Sequence, residues 1–262
     1  MNILVIIEHK NGMMHRMSKE AIAGAQKIGG NITALVIGEN SDSVADELSS
    51  FQIEKTLLVT NEKVTSYNVD GYKEITLQVV KVVNPEFIIT GHTYQARDFM
   101  PRLSASLDIP FIPDLVSIED SSYIKQIMNS KLNASISSSN GPVLISFQSA
   151  SFSEENISKG SSSLEKFEVT LDASNIRSTV DEPFQESVSE VDLESAELIV
   201  SVGRGIEKEE NTSIAFDLAE VLGAEVSASR PVVDAGWLPS SRQVGSSGST
   251  VSPKLYFSLG VS

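Results

Sequence analysis

The chain begins with an apolar run that does not alternate, Asn2 to Ile7, before Glu8, His9 and Lys10. Such a run predicts a strand buried on both faces of a parallel sheet. The spacing then becomes helical. Ala21, Ala25 and Ile28 fall on one face with Gly24 beside them, Ser18 is placed to cap the N-terminus, and Gly29-Gly30 ends the helix. "ITALVIG" predicts a second strand, "SDSVADELSS" a short helix and "KTLLVT" a third strand. In "GYKEITLQVVKVVN" the residues Ile75, Val79, Val82 and Val83 share a helical face, and "PEFIITG" follows as a fourth strand. The segment "HTYQARDFMPRLSASLDIP" leads into a helix with Met100, Leu103 and Leu107 on one side. Strand and helix in turn predict an α/β layer with right-handed crossovers.

From Asp114 to Phe167 the pattern becomes short β-rich runs between "NGP" and "SSS" turns, among them "DLVSIE", "YIKQIM" and "PVLISFQSASF". They predict an antiparallel extension of the first sheet. Polar text from about 172 to 195, with no base after Arg177, reads as a linker between a domain spanning 1–187 and one spanning 188–262. The second domain reads as strand, glycine turn, helix and strand, with Ile214, Leu218, Val221 and Leu222 inward and Gly223 closing the helix. "PKLYFSLGVS" is a further buried strand. A parallel strand wants a helix over it and neighbours beside it, and none follows, so the second domain is expected to be incomplete at its C-terminus.

Composition narrows the functions available. The 262 residues, 40% of them hydrophobic, suffice for two soluble globular domains. No apolar run approaches the roughly 20 residues that cross a bilayer, and the N-terminus lacks a signal-like basic start, so a cytoplasmic setting without membrane insertion is expected. The sequence contains no cysteine, which excludes disulfides, thiolate nucleophiles, iron–sulfur clusters and thiolate zinc sites. A net charge of −15 argues against a nucleic-acid partner.

Candidate chemistry sits in the second domain. "VGRGI" places Arg204 between Gly203 and Gly205, after a strand. Such glycines let backbone approach a phosphate, or simply make a tight turn, and the third glycine of a dinucleotide fingerprint is replaced by Lys208. Arg204, Arg230 and Arg242 lie in or beside glycine-containing loops, where guanidiniums suit pyrophosphate or neutralise nearby carboxylates. The stretch from Ser229 to Thr250 carries two arginines, three glycines and seven hydroxyls with no helical or strand period. Loops of that length are commonly functional, and "GSSGST" within it fits either a phosphate- or ring-binding loop or a plain surface loop. His9, His15 and His92 lack metal-ligand spacing, Trp237 reads as core, and no catalytic acid, base or metal is assigned. The first layer alone would also fit a non-redox adenine-nucleotide-binding module, and a nicotinamide dehydrogenase lacks its ribose-binding acid.

In order and spacing, "VSVGRGIE", "SRPVVDAGW" and "RQVGSSGSTVSPKLYFSLGVS" resemble the FAD-binding domain of the electron transfer flavoprotein α subunit family, and the first domain, with "ARDFMPRLSASLDIPFIPDLVSIE" and "SFQSASF", resembles that family's N-terminal domain. The resemblance implies a nucleotide-binding-like α/β domain, then a flavodoxin/Rossmann-like FAD domain. It implies that Arg204 lies near the FAD phosphates, that Ser229 and Arg230 form the pair whose arginine lies over the flavin ring, and that the backbone of Gln243, Val244 and Gly245 approaches it. By the same likeness Ser247 offers a hydroxyl to the flavin N5, Ser246 stands where the family has a longer amide, Gly248 keeps the glycine, and Ser262 matches a phosphate-binding serine. The family's C-terminal histidine helix and adenosine-holding residues are absent, so a cofactor-less partner-binding remnant is the alternative. The implied partners are a β subunit, acyl-CoA dehydrogenases as donors in fatty acid β-oxidation and a quinone oxidoreductase as acceptor.

Overall fold

A computed structural model of the chain describes all residues except 120, 121, 129, 139, 140, 181–190, 192, 194, 195, 246, 247, 250 and 262. The chain divides into two compact units, Met1–Glu182 and Pro183–Ser262. Most of the segment between 181 and 195, and with it much of the expected linker, lies outside the described residues.

In the first unit β1 (Asn2–Ile7) leads through a two-residue hairpin, β2 (His9–Lys10) and β3 (Met13–Met14), into α1 (Arg16–Ile28). Then come β4 (Asn31–Ile37), α2 (Asp42–Leu48), β5 (Lys55–Val59), α3 (Val69–Val83), β6 (Phe87–Gly91) and α4 (Tyr94–Leu107). β7 (Phe111–Glu119), β8 (Ser122–Ile127), β9 (Leu132–Ile136), β10 (Val143–Phe147) and β11 (Ser163–Lys166) complete the unit. All of these strands except β2 and β3 form one nine-stranded sheet in the order β11-β5-β4-β1-β6-β10-β7-β8-β9.

Successive residues of β1 face opposite layers. Ile3, Val5 and Ile7 pack with Ala21, Ile22 and Ala25 of α1 and with Val44 and Leu48 of α2. Leu4 and Ile6 pack with Ile75 and Val79 of α3 and with Phe99, Met100 and Leu103 of α4. This two-sided burial explains why the first strand shows no alternation. Gly24 is needed where α1 crosses β10, since a Cβ there would stand 2.4 Å from the buried Phe147 ring.

Three expectations change. His15, not Ser18, caps α1 by accepting from the Met17 N–H, while the Ser18 hydroxyl accepts from the Glu8 N–H and donates to its carbonyl. "PVLISF" is not part of an antiparallel extension: β10 runs parallel between β6 and β7, buried along its whole length, and the antiparallel pairs of this sheet are β7 with β8 and β8 with β9. Val82 is 64% exposed because it lies on the shoulder of the stripe that Ile75 and Val79 define. Residues 170–178 are tied to α3 and the turn before it. Gln78 exchanges two hydrogen bonds with Thr170, Lys63 donates to the Leu171 carbonyl, and the Asn68 amide donates to the Ser178 carbonyl.

The second unit is a three-stranded parallel sheet in the order β13-β12-β14, from β12 (Leu198–Val202), β13 (Glu225–Ala228) and β14 (Leu255–Leu259). α5 (Thr212–Leu222) lies over it through Ala215 and Ala219, with Leu218 and Leu222 partly buried and Gly223 in the left-handed conformation at its end. Contrary to the helical reading, Ile214 and Val221 are 60% and 83% exposed, because the small alanines seat the helix one step round. The apparently aperiodic stretch after β13 holds a short helix, α6 (Arg230–Asp234), which begins Ser-Arg-Pro as a cap followed by first-turn proline. Its Val232 joins the core with Leu238, and Trp237 packs partly against the same cluster.

Candidate functional site

The carboxyl ends of β12 and β13 are where an open parallel sheet presents its loops to a ligand. Gly203 and Arg204 directly follow β12, and Ser229 and Arg230 directly follow β13. The Ser229 N–H donates to the Val202 carbonyl at 2.9 Å, which holds the two ends side by side. Arg230 is exposed and pairs with Asp234 one turn on, Nε to Oδ2 3.5 Å, with both side chains more than half in solvent. A pair so exposed is weak, so the guanidinium is readily recruited by another anion. Arg204 is also exposed.

The loop from Gln243 completes the arrangement. Gln243 forms a parallel bridge to Ala228, and the Val244 N–H donates to the Ala228 carbonyl at 2.9 Å. The chain then folds back. Ser249 N–H donates to Gln243 O at 2.8 Å, Gly245 N–H to Ser249 O at 3.1 Å and Gly248 N–H to Gly245 O at 2.5 Å. Gly245 has φ +77° with open space beside its Cα, and a Cβ on Gly248 would lie 2.3 Å from Gln243 O, so each glycine is required for a different reason. Arg204, Ser229, Arg230, Gln243, Val244, Gly245 and Gly248 are thus gathered on loops that leave or cross the same strand ends. Ser246, Ser247 and Ser262 lie outside the described residues.

Two sequence-level roles are narrowed. Gly203 and Gly205 are required by the packing of the chain itself, in agreement with the tight-turn alternative. A Cβ on Gly203 would lie 2.2 Å from Gly260 O, and one on Gly205 would lie 2.9 Å from the same oxygen. Gly203 N–H donates to Leu259 O at 2.8 Å and Gly205 N–H to Gly260 O at 2.9 Å, so these glycines join the ends of β12 and β14. No α-helix opens directly after them, since two 3₁₀ turns, Arg204–Ile206 and Glu209–Asn211, precede α5. Arg242 is turned to the protein: its Nη1 donates to the Val226 carbonyl at 2.7 Å and its guanidinium stacks 5.3 Å from the Phe216 ring centre. Sequence reading missed both partners, because neither residue type marks a receptor for an arginine.

In the first unit the strand order reverses between β1 and β6, the usual ligand crevice of a doubly wound sheet. Here it is filled from within. The Glu8 carboxylate accepts from the Thr93 hydroxyl, and both His9 Nε2 and the Tyr72 hydroxyl lie 3.0 Å from the Ile37 carbonyl. A carboxylate at that point repels phosphate, which removes support from an adenine-nucleotide module. Close by, His92 Nδ1 lies 2.8 Å from the Ser146 hydroxyl, whose oxygen also accepts from the Asp114 N–H. The Ser146 hydrogen is therefore free to point at Nδ1. Burial pushes His92 down to about 4, against the opposing pull of Asp114. Among the described residues no cluster of three or more acidic, histidine or cysteine side chains could hold a metal, and no helix is long and apolar enough to cross a membrane.

The geometry of the second unit defines a nucleotide-cofactor-binding class: parallel strands, a glycine-containing loop folded on their ends, and exposed guanidiniums beside it. Comparison with known proteins sharpens the class. The electron transfer flavoprotein domain profile matches residues 3–172, and the electron transfer flavoprotein FAD-binding domain profile matches residues 192–262. The chain is 31% identical to the electron transfer flavoprotein subunit alpha of Bacillus subtilis over 268 residues, 99% of this chain and 82% of that protein. It is 31% identical over 264 residues to the subunit alpha of Pseudomonas aeruginosa, covering 100% and 84%. It is also 29% identical over 271 residues to Protein FixB of Clostridium saccharobutylicum, covering 99% and 81%. The chain belongs to the electron transfer flavoprotein α-subunit family, whose cofactor is FAD. The residues present fit that cofactor: two exposed arginines stand beside a loop whose Gly245 leaves open room for close approach.

Proposed function

We propose that this chain, paired with a β subunit, carries electrons on FAD from acyl-CoA and related dehydrogenases toward a quinone oxidoreductase. The observation that carries the proposal is the joining of Ser229-Arg230 and Gln243-Val244-Gly245 at one strand end through the Ala228–Gln243 bridge. When bound, FAD supplies the two-electron redox chemistry, and the protein supplies position and charge. Arg230 would hold a cation toward the bound ring and so favour its reduced, anionic form, and Arg204 would offer a cation to the pyrophosphate. The backbone of Gln243 to Gly245 would orient the bound ring, with Gly248 keeping the turn closed behind it. Ser246, Ser247 and Ser262 belong to the proposed contact set by their place in the sequence. No side chain of this set acts as acid or base, consistent with a carrier that has no substrate of its own.

The test is the visible spectrum of the chain purified with its β subunit, incubated with FAD and desalted. A retained two-banded flavin spectrum supports the proposal, and a colourless complex rejects it. In that complex Arg230→Ala is expected to weaken FAD binding and lower the flavin potential by on the order of tens of millivolts, the effect of removing one partly solvated charge a few ångströms away. An unchanged potential refutes the electrostatic role.

A further inference from the structure

We infer that Arg242 is a positioning residue that anchors the flavin-facing segment Gln243–Gly245 to the open edge of β13, an inference that rests on the proposed FAD site. β13 is the outer strand of its sheet, with β12 as its one strand neighbour among the described residues, so its outward carbonyls need donors from elsewhere. Two of them are met by the loop. Val226 O accepts from Arg242 Nη1 at 2.7 Å, and Ala228 O accepts from the Val244 N–H at 2.9 Å. The arginine side chain therefore substitutes for a strand amide, one pairing position before the single bridge that the loop makes with Ala228.

One isolated bridge holds a loop poorly. The guanidinium adds a charged donor, and it is itself fixed from the side by the Phe216 ring of α5 at 5.3 Å. The backbone turn Ser240–Arg242, closed by Arg242 N–H to Pro239 O and Gln243 N–H to Ser240 O, makes the link stiff, so the position of the guanidinium is passed directly to Gln243. Arg242 thus differs in role from Arg204 and Arg230. It faces the protein, and its effect on FAD runs through the backbone of Val244 and Gly245. Lysine has a single ammonium and cannot both donate to Val226 and keep a cation over Phe216, and methionine keeps the apolar stem but leaves the Val226 carbonyl unsatisfied.

The test is hydrogen exchange on the complex with the β subunit, before and after FAD addition, in the wild type, Arg242→Met and Phe216→Ala. Without FAD, the Val244 amide is expected to exchange roughly 10- to 100-fold faster in Arg242→Met, the scale of losing a charged hydrogen bond, while β12 amides stay protected. Phe216→Ala is expected to give a smaller change of the same kind, about two- to fivefold, and it decides the question where Arg242→Met does not fold. With FAD, Arg242→Met is expected to bind at least about tenfold more weakly and to shift the flavin absorption bands. A Val244 exchange rate within twofold of wild type, an acceleration shared equally by β12, or a variant that binds FAD with wild-type affinity and spectrum overturns the inference. A wild-type complex that takes up no FAD rejects the proposed function instead, and the exchange rates then show by themselves whether the anchor exists.

Discussion

Replacing Gly203 by alanine separates two meanings of the same glycine turn. If the glycine clears space for a ligand, the substitution disturbs FAD binding and leaves the apo-protein alone. In the structure the obstacle is the protein itself: the new Cβ would lie 2.2 Å from Gly260 O and 2.4 Å from Gly260 C and Val261 Cα. These are backbone atoms, which have no rotamer to escape into, so the end of β14 must retreat by about 1 Å. Retreat strains the bonds from Gly203 N–H to Leu259 O and from Gly205 N–H to Gly260 O. Overpacking of this kind costs about 1–3 kcal/mol, and the two weakened hydrogen bonds add about 1–3 kcal/mol together. The assay is urea unfolding of the FAD-free complex followed by Trp237 fluorescence. Trp237 is the only tryptophan of the chain and packs on the core of the second unit, so it reports that unit alone within this subunit. The transition is expected to fall by an amount equivalent to about 2–6 kcal/mol, a shift on the order of 1 M urea or more. A transition within about 0.5 kcal/mol of wild type, the usual scatter of neutral surface changes, refutes the reasoning and returns the turn to a ligand role.

Two further outcomes follow from the first unit. Gly24→Ala gains about 1 kcal/mol of helix propensity but drives a methyl into the buried Phe147 ring at 2.4 Å; far-UV unfolding should show a net loss of about 1–2 kcal/mol that Phe147→Leu largely restores, and a stabilised single variant contradicts the packing. His92 is held neutral by burial, with its pKa near 4 instead of the ordinary 6.5. The unfolded chain therefore binds more protons between those values, so this contribution is complete above pH 6.5 and is lost as the pH falls toward 4. His92→Gln should flatten the stability profile in that window, and parallel wild-type and variant profiles would count against it.

Much of the first sheet was legible in the sequence because a strand buried on both faces leaves an unbroken apolar run, as at Ile3 to Ile7. The same property hides the partners. The nearly continuous apolar run in "PVLISF" is itself the mark of a strand buried on both faces, but the short, turn-punctuated β runs around it lead to its assignment to the antiparallel extension. Helical stripes were readable at their centres, Ile75 and Val79 or Leu218 and Leu222, and misread at their shoulders, Val82, Ile214 and Val221. Periodicity fixes an angle, whereas small residues such as Ala215 and Ala219 decide which face goes down. At the candidate site the loop residues stood out by type, but type does not give direction. Gly203 turns out to make room for its own chain, and Arg242 turns inward to a carbonyl that belongs to no motif.

The placement of β10 between β6 and β7 has a consequence for how the first unit is made. Residues 87–91 and 111–115 are synthesised first, yet they meet only through residues 143–147, which pair with both. Until that segment leaves the ribosome, the emerging chain holds two separate half-sheets, β5-β4-β1-β6 and β7-β8-β9, each with an open apolar flank. Closing them requires bridging several dozen residues at once, a slow kind of step dominated by distant pairings. That interval is when the nascent chain most needs a chaperone, and a stop codon placed before residue 143 should yield aggregates where one placed after residue 182 yields a folded first unit.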